Sequence, residues 1–230
     1  MQVIVPLAGP DFISSGGLIK GLIHYEGKPI IDQALSNRPW YNSVKNYTFV
    51  LKECEEARNF YLNHLCRNYP NSSAIYLSSF SQGAALSALA GISLNQDFSD
   101  PLIIDLADII YTSNINVPKF FANNLDSAGL ALAFKSSNPC YSYLECSTNG
   151  DVIQSAEKRV ISEYASVGTY VFRDCSIYLR ALAHILESRD DRFLFNGLYY
   201  VCPLLNGVLM EKKNVKLSLV SNVRDIKQSN

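Results

Sequence analysis

The chain has no apolar run approaching the length that spans a bilayer, so no membrane helix is expected. Its N-terminus lacks a basic segment followed by a hydrophobic core and a cleavage site, and the opening apolar run is too short for a secretory leader. There is no block of Lys and Arg, and the net charge over 230 residues is −1. Neither nucleic acid nor an anionic membrane is therefore an expected partner. The six cysteines, Cys54, Cys66, Cys140, Cys146, Cys175 and Cys202, contain no CxxC pair. That excludes zinc-ligand spacing and a secreted disulfide framework. They read as reduced thiols of a cytoplasmic protein, mostly small core hydrophobes. His24, His64 and His184 lie far apart and belong to no triad or zinc motif. GxGxxG and GxxxxGK[ST] are both missing, so the dinucleotide and P-loop signatures do not apply. No Asp-x-Asp, internal repeat, linker or low-complexity tract occurs.

What is present is an ordinary, slightly apolar globular composition, 48% hydrophobic and 18% charged, long enough for one domain with a large core. The organising stretch is the first thirty residues. Val3-Ile4-Val5-Pro6-Leu7-Ala8 is of strand length, apolar on both sides, and suits a strand buried on both faces of a parallel sheet. The chain then breaks into Gly9-Pro10-Asp11 and, after Phe12 and Ile13, Ser14-Ser15-Gly16-Gly17. A small-residue loop leaving a first strand is where an open α/β sheet usually binds its ligand, and its N–H groups suit an anion. Many α/β proteins open this way without a nucleotide site, and the loop alone does not separate the two cases. Lys20 follows with three donors.

Further on, helix is expected from Ile30 to near Asn37, before Pro39, and strands at 47–51 and 74–77 flank a helical period over 53–68. Gln82 to Ala90 is a helix rich in small residues. Pro101 to Asp108 reads as one strand ending in acid. This alternation predicts a mostly parallel sheet covered on both faces. In the second half, 129–134, 141–146 and 165–172 are strand-like, and Thr148-Asn149-Gly150 marks a turn. Ile177 to Glu187 is a helix, 198–211 is a helix interrupted by Pro203, and 215–220 is the last strand, with a frayed tail after it.

Three clusters carry chemical meaning. Small residues at Gln82-Gly83-Ala84-Ala85, where a strand hands over to a helix, suit either a planar base lying on backbone or close helix–sheet packing. Asp105 and Asp108 place carboxylates in a run otherwise fit for burial, which is costly unless they are paired or bound to a cation. At the end of a central strand Mg²⁺ is the natural cation, since it takes one or two carboxylates plus substrate phosphates. Asp105 reads as the structural one of the two. Glu157-Lys158 follows a hairpin; by itself it reads as a solvated pair.

Taken together, Val5-Pro6-Leu7-Ala8-Gly9, Lys20-Gly-Leu-Ile, Gly27-Lys28-Pro29, Gln82-Gly83, the acid-tipped strand at Asp108, Glu157-Lys158 and Gly168-Thr169-Tyr170 resemble the sugar-phosphate nucleotidyltransferases. These are the nucleotide-diphosphate-sugar pyrophosphorylases and their cytidylyltransferase cousins. The likeness runs from Val3 to about Val220. It implies a Rossmann-like three-layer α/β fold with a mixed, mostly parallel central sheet. It also implies a single domain, with residues to about 111 forming the nucleotide half and those from about 112 to 230 the acceptor half. By resemblance, Leu7, Ala8, Gly9, Gln82 and Gly83 would bind the nucleotide, Glu157, Lys158 and Gly168 the acceptor, and Asp108 and Asp225 Mg²⁺. Lys20, Asp108 and Lys158 would be the catalytic set.

The implied reaction moves a nucleoside monophosphate from a nucleoside triphosphate to a sugar phosphate or similar phosphorylated small molecule. Pyrophosphate is released, and the product would serve surface-polysaccharide precursor synthesis. Self-association is left open. Where the family loop carries Gly-x-Gly-x-Arg, this loop is shorter and Asp11 holds the place of the arginine. Asp11 is expected to turn away from the phosphates. The same departure supports an alternative, a homologue that binds nucleotide or sugar phosphate and has lost transfer. A glycosyltransferase using a preformed nucleotide sugar fits less well, since Asp-x-Asp is absent and Glu157-Lys158 suits an acceptor phosphate.

Overall fold

The structure is a computed structural model that describes residues 1–14, 16–94 and 97–225; Ser15 of the opening loop and the tail expected to fray lie outside the described residues. Strand β1 (Gln2–Pro6) is buried along its length and forms the sheet's centre. Its side chains divide between two cores, Ile4 on one face and Val3 with Val5 on the other. That is why the run is apolar without alternation.

A two-residue hairpin, β2 (His24–Tyr25) with β3 (Lys28–Pro29), leads into α1 (Ile30–Ser36). Strand β4 (Asn46–Lys52) pairs parallel to β1. Residues 55–68 form one helix, α2 (Glu55–Phe60) passing through a π-type turn into α3 (Cys66–Asn68). Strand β5 (Ser72–Leu77) adds parallel to β4, and α4 (Ala84–Ile92) packs its small residues so tightly that a Cβ at Gly91 would lie 2.6 Å from Ile4 Cγ2.

The expected strand 101–108 is two strands. β6 (Leu102–Asp105) stays in the main sheet, parallel to β1. The chain then breaks at 106–108, with Ala107 in the left-handed region at φ 54°. β7 (Ile109–Thr112) leaves the main sheet. A residue with positive φ cannot continue a strand, so the acid that ends β6 is Asp105.

After α5 (Val117–Asn123), begun by Asn116 capping the Lys119 N–H, come β8 (Ser127–Lys135), the hairpin of β9 (Tyr143–Cys146) and β10 (Val152–Ala156), and β11 (Tyr164–Phe172). Strand β11 lies antiparallel between β6 and β8. Helix α6 (Cys175–Ser188) is capped by Asp174. The expected helix 198–211 is instead a short hairpin, β12 (Leu194–Phe195) with β13 (Leu198–Tyr199), followed by α7 (Leu204–Met210) starting after Pro203, which suits the first turn of a helix. Strand β14 (Asn214–Leu219) runs parallel to β8 and is not the last: β15 (Ser221–Asp225) returns antiparallel along β7.

The result is a nine-stranded mixed sheet in the order β10-β9-β11-β6-β1-β4-β5, with β8 and β14 joined through β11. Helices α4, α6 and α7 cover one face; α1, the 55–68 helix and α5 cover the other. Three layers and a predominance of parallel pairs at the N-terminal strands match the expected architecture. Among the cysteines only Cys175 and Cys202 are buried, fewer than expected, and no disulfide joins the six. No described helix is long and apolar enough to cross a membrane.

Candidate nucleotide and acceptor cleft

A cleft of about 480 Å³ opens where β1 and β6 end, the position at which open α/β sheets take ligands. One side is the loop after β1, with Leu7, Ala8, Gly9, Asp11 and Lys20; the base of the cleft is the 106–109 break; the far side carries Glu157, Lys158 and Gly168. The structure thus gathers nearly every expected site residue. Gln82 is the exception on the nucleotide side. It is exposed, its carbonyl accepts a hydrogen bond from Tyr199 N–H at 2.8 Å, and the wall is formed by its neighbours Ser81, Gly83 and Ala84.

Gly83 shows why small residues occupy that handover. Its φ is 112°, and a Cβ there would sit 2.2 Å from the Tyr199 carbonyl oxygen. Only glycine allows the backbone of β13 to cross so close. Close packing and a place on the cleft wall are both served by the one residue.

The loop after β1 is tied by its own backbone: Phe12 N–H to Gly9 O, Ser14 N–H to Leu18 O, Lys20 N–H to Phe12 O. Asp11, expected to turn away from the phosphates, turns to Lys20, the residue expected to receive them. Its carboxylate lies 2.7 Å from the Lys20 ammonium, and both side chains are on the cleft wall, 70% and 36% exposed. The cation expected to meet the phosphates already holds a carboxylate.

At the break, Asp105 and Asp108 have different surroundings although they are three residues apart. Asp105 is fully buried and held by Arg38, through Nε to Oδ2 at 2.6 Å and Nη2 to Oδ1 at 3.0 Å. Burial would lower the Arg38 pKa, but Asp105 beside it raises it above the ordinary arginine value, so the guanidinium stays charged. Asp105 is therefore structural, as expected. Asp108 is on the cleft wall. Room for it comes from β11, whose register to β8 shifts between Ser166 and Tyr170. Inside that bulge Gly168 has φ 73°, and a Cβ there would meet Asp108 Oδ1 at 3.2 Å. Bulges of this kind commonly re-aim side chains beside active sites.

Strand β15 carries the second expected carboxylate beside the break but not onto the cleft wall. Asp225 pairs with Ile109, the neighbour of Asp108, and accepts a hydrogen bond from Tyr141 at 2.5 Å. Burial, then that bond to Asp225, pushes the Tyr141 phenol above its ordinary range, so it remains the donor. No three His, Cys, Asp or Glu side chains cluster for a metal among the described residues. Two carboxylates suit Mg²⁺ when substrate phosphates complete its shell, and do not suit an all-protein cage.

On the far side, Ser142 donates to Glu157 Oε2 at 2.5 Å. Lys158 adopts a left-handed backbone at φ 47° and places its ammonium 5.1 Å from the centre of the Phe195 ring. Asn206 at the head of α7 braces β10 through paired 2.9 Å bonds with the Ser155 backbone. Tyr200, Val201 and Cys202 close the wall there.

No family model matches the sequence, and no curated protein matches it. Solved structures do. A nucleoside-diphosphate-sugar pyrophosphorylase from Vibrio cholerae RC9 superposes with a TM-score of 0.82, at 20% identity over 98% of this chain and 95% of that one. A Bacillus anthracis protein assigned as a glucose-1-phosphate thymidylyltransferase gives 0.74, at 16% identity over 98% and 89%. The inositol-1-phosphate CTP transferase of T. maritima gives 0.68, at 14% identity over 99% and 89%. The fold is that of the sugar-phosphate nucleotidyltransferases. At these identities the likeness establishes architecture, and the chemistry rests on the side chains in the cleft.

Within that nucleotidyltransferase fold, three residues beside or under the site escaped sequence reasoning. Arg38 sits in Asn37-Arg38-Pro39, which reads only as a helix end. Ser142 and Tyr141 stand in a strand-like run with no motif. No local signal marks them, since each gains its role from a partner at least fifteen residues away.

Proposed function

We propose that this chain transfers a nucleoside monophosphate from a nucleoside triphosphate to a phosphorylated small molecule, a sugar phosphate being the natural class. The observation that carries the reading is the convergence of the β1 loop with Lys20, Asp108 at the break and Glu157-Lys158 on one cleft. In this reading the cleft binds a triphosphate on its loop side, with Leu7, Ala8 and Gly83 forming a surface small enough for a base. Lys20 exchanges Asp11 for a phosphate oxygen. Glu157, oriented by Ser142, accepts from acceptor hydroxyls, and Lys158 holds the acceptor phosphate. An oxygen of that phosphate attacks the α-phosphorus, the bond to the β-phosphate breaks, and pyrophosphate leaves. Such catalysis is positioning and charge neutralisation. Asp108 and Asp225 would hold Mg²⁺, which would supply positive charge against the triphosphate. A cytoplasmic role in making surface-polysaccharide precursors belongs to this reading.

The Asp11–Lys20 pair favours a second reading, a nucleotide or sugar-phosphate binder without transfer. The test is pyrophosphate release, coupled to inorganic pyrophosphatase, across the nucleoside triphosphates and a panel of sugar 1-phosphates with Mg²⁺. Release with one pair supports the transferase. A triphosphate that raises the melting temperature while no acceptor gives pyrophosphate supports the binder.

A further inference from the structure

Arg38 lies at the end of α1, outside the cleft, yet it holds both ends of the 106–108 break. Its guanidinium makes the two bonds to Asp105, the last residue of β6, and Nη2 also donates at 3.1 Å to the carbonyl of Ile109, the first residue of β7. Asp105 Oδ1 in turn accepts from the Ala107 N–H at 2.9 Å, inside the break. The guanidinium carbon stands 4.0 Å from the centre of the Tyr111 ring, and Tyr111 donates to Thr169 of β11 at 3.0 Å. Leu106 N–H donates to Gly168 O at 3.0 Å, which ties the break to the bulge.

This arrangement is poorly accounted for by stability. Arg38 Nη1 is buried without a hydrogen-bond partner. Buried ion pairs can often be replaced by apolar residues without loss. A left-handed alanine also persists only where its surroundings over-determine it. What the cluster does fix is the three-residue path between two strands of different sheets, and Asp108 is the residue that path delivers to the cleft.

We propose that Arg38 is a positioning residue: by bridging Asp105 and the Ile109 carbonyl it fixes the 106–108 backbone and thereby sets the Asp108 carboxylate in the cleft. The role of Asp108 rests on the nucleotidyltransferase reading; how Asp108 is held rests on geometry alone.

The test uses the full chain and the paired substitution Arg38→Met with Asp105→Asn. It removes both buried charges together and keeps an acceptor for the Ala107 N–H. Arg38→Lys is the conservative companion, retaining charge without the fork that reaches two acceptors. Two readouts are taken beside the melting temperature: hydrogen exchange of the peptide spanning 105–110, and Mn²⁺ binding in the presence of a nucleoside triphosphate, followed by electron paramagnetic resonance. The expected result for the paired variant is a cooperative fold, at least tenfold faster exchange confined to 105–110, and at least tenfold weaker Mn²⁺ binding. Arg38→Lys should fall between it and wild type.

Unchanged exchange in the paired variant overturns the proposal. So does faster exchange with Mn²⁺ affinity equal to that of a wild type that binds. If the paired variant does not fold, Arg38→Lys alone decides by the same two readouts. If the wild type binds no Mn²⁺ with any triphosphate, the transferase reading fails, and the exchange data still decide whether Arg38 holds the break.

Discussion

The loop from Leu7 to Lys20 and the break between β6 and β7 face the same cleft and are held in opposite ways. The loop stands on its own backbone hydrogen bonds, and its ion pair, Asp11 with Lys20, is open to water. Exposed pairs are worth about 0–1 kcal/mol, so an arriving anion can take Lys20 from Asp11. The break stands on a pair excluded from water, where removing one partner costs about 3–5 kcal/mol because the other charge is left buried. In the proposed transferase, one side of the cleft rearranges around phosphate while the other presents Asp108 at a fixed place. Charge has opposite consequences in the two regions because solvent screens one pair and not the other.

The contrast is tested most severely at Asp108. Asp108→Asn should lower Mg²⁺-dependent pyrophosphate release by about two to three orders of magnitude, the scale of losing one preorganised electrostatic contact, while the melting temperature stays within a few degrees. Retention of the wild-type rate would remove the metal role from the fixed side. Next comes Gly83→Ala, which probes the other fixed contact, the crossing of Tyr199. A Cβ placed 2.2 Å from a carbonyl oxygen must displace backbone, and overpacking of this kind costs about 1–3 kcal/mol before the positive φ is counted. Denaturant unfolding should show a loss at the upper end of that range. A loss below half a kilocalorie would mean the two halves of the cleft are not tied there.

Lys158→Ala should raise the acceptor KM about ten- to hundredfold and leave the nucleotide KM little changed, as expected for one charge-assisted hydrogen bond of about 1.5–3 kcal/mol. An effect confined to the nucleotide would place Lys158 on the wrong side of the cleft. The smallest effect is expected where the site is adaptable. Asp11→Ala should tighten triphosphate binding less than about fivefold, in line with an exposed pair, whereas Lys20→Ala should weaken it strongly. Titration calorimetry with each triphosphate measures both. Tightening of tenfold or more for Asp11→Ala would mean the carboxylate faces the phosphates, and the binder reading would then be preferred.

Much of the fold was legible because the local signals agree with one another. The unbroken apolar run at β1, the period over 55–68, the small-residue helix α4 and the capped helix α6 all formed near the expected residues. Two of the three misreadings share one cause. At 101–108 and 215–220 the composition continues while the backbone changes direction, at Ala107 with φ 54° and at Val220 between β14 and β15, whereas at 198–211 the turn is marked by Asn196-Gly197, a hairpin signal that the helix reading passed over. An alanine at positive φ carries no pattern that periodicity can detect. Lys20, Asp108, Glu157, Lys158 and Gly168, singled out as motifs, all line the cleft. Gln82 was placed on the cleft by the same motif, and the structure gives the wall to its neighbours.

The sequence by itself determined the three layers, the buried centre of the sheet and the order of the chemical residues along the chain. These follow from hydrophobic patterning and turn chemistry, which act over a few residues. Only the tertiary structure decided what neutralises the buried Asp105, the Arg38 guanidinium. It also decided that Asp11 meets Lys20, and that Asp225 returns beside Ile109. The physical reason is that charge is assigned by surroundings: a carboxylate's role depends on the cation, the solvent and the backbone N–H groups that reach it. For Asp105 the cation lies sixty-seven residues away, at the end of a helix that reads as unremarkable.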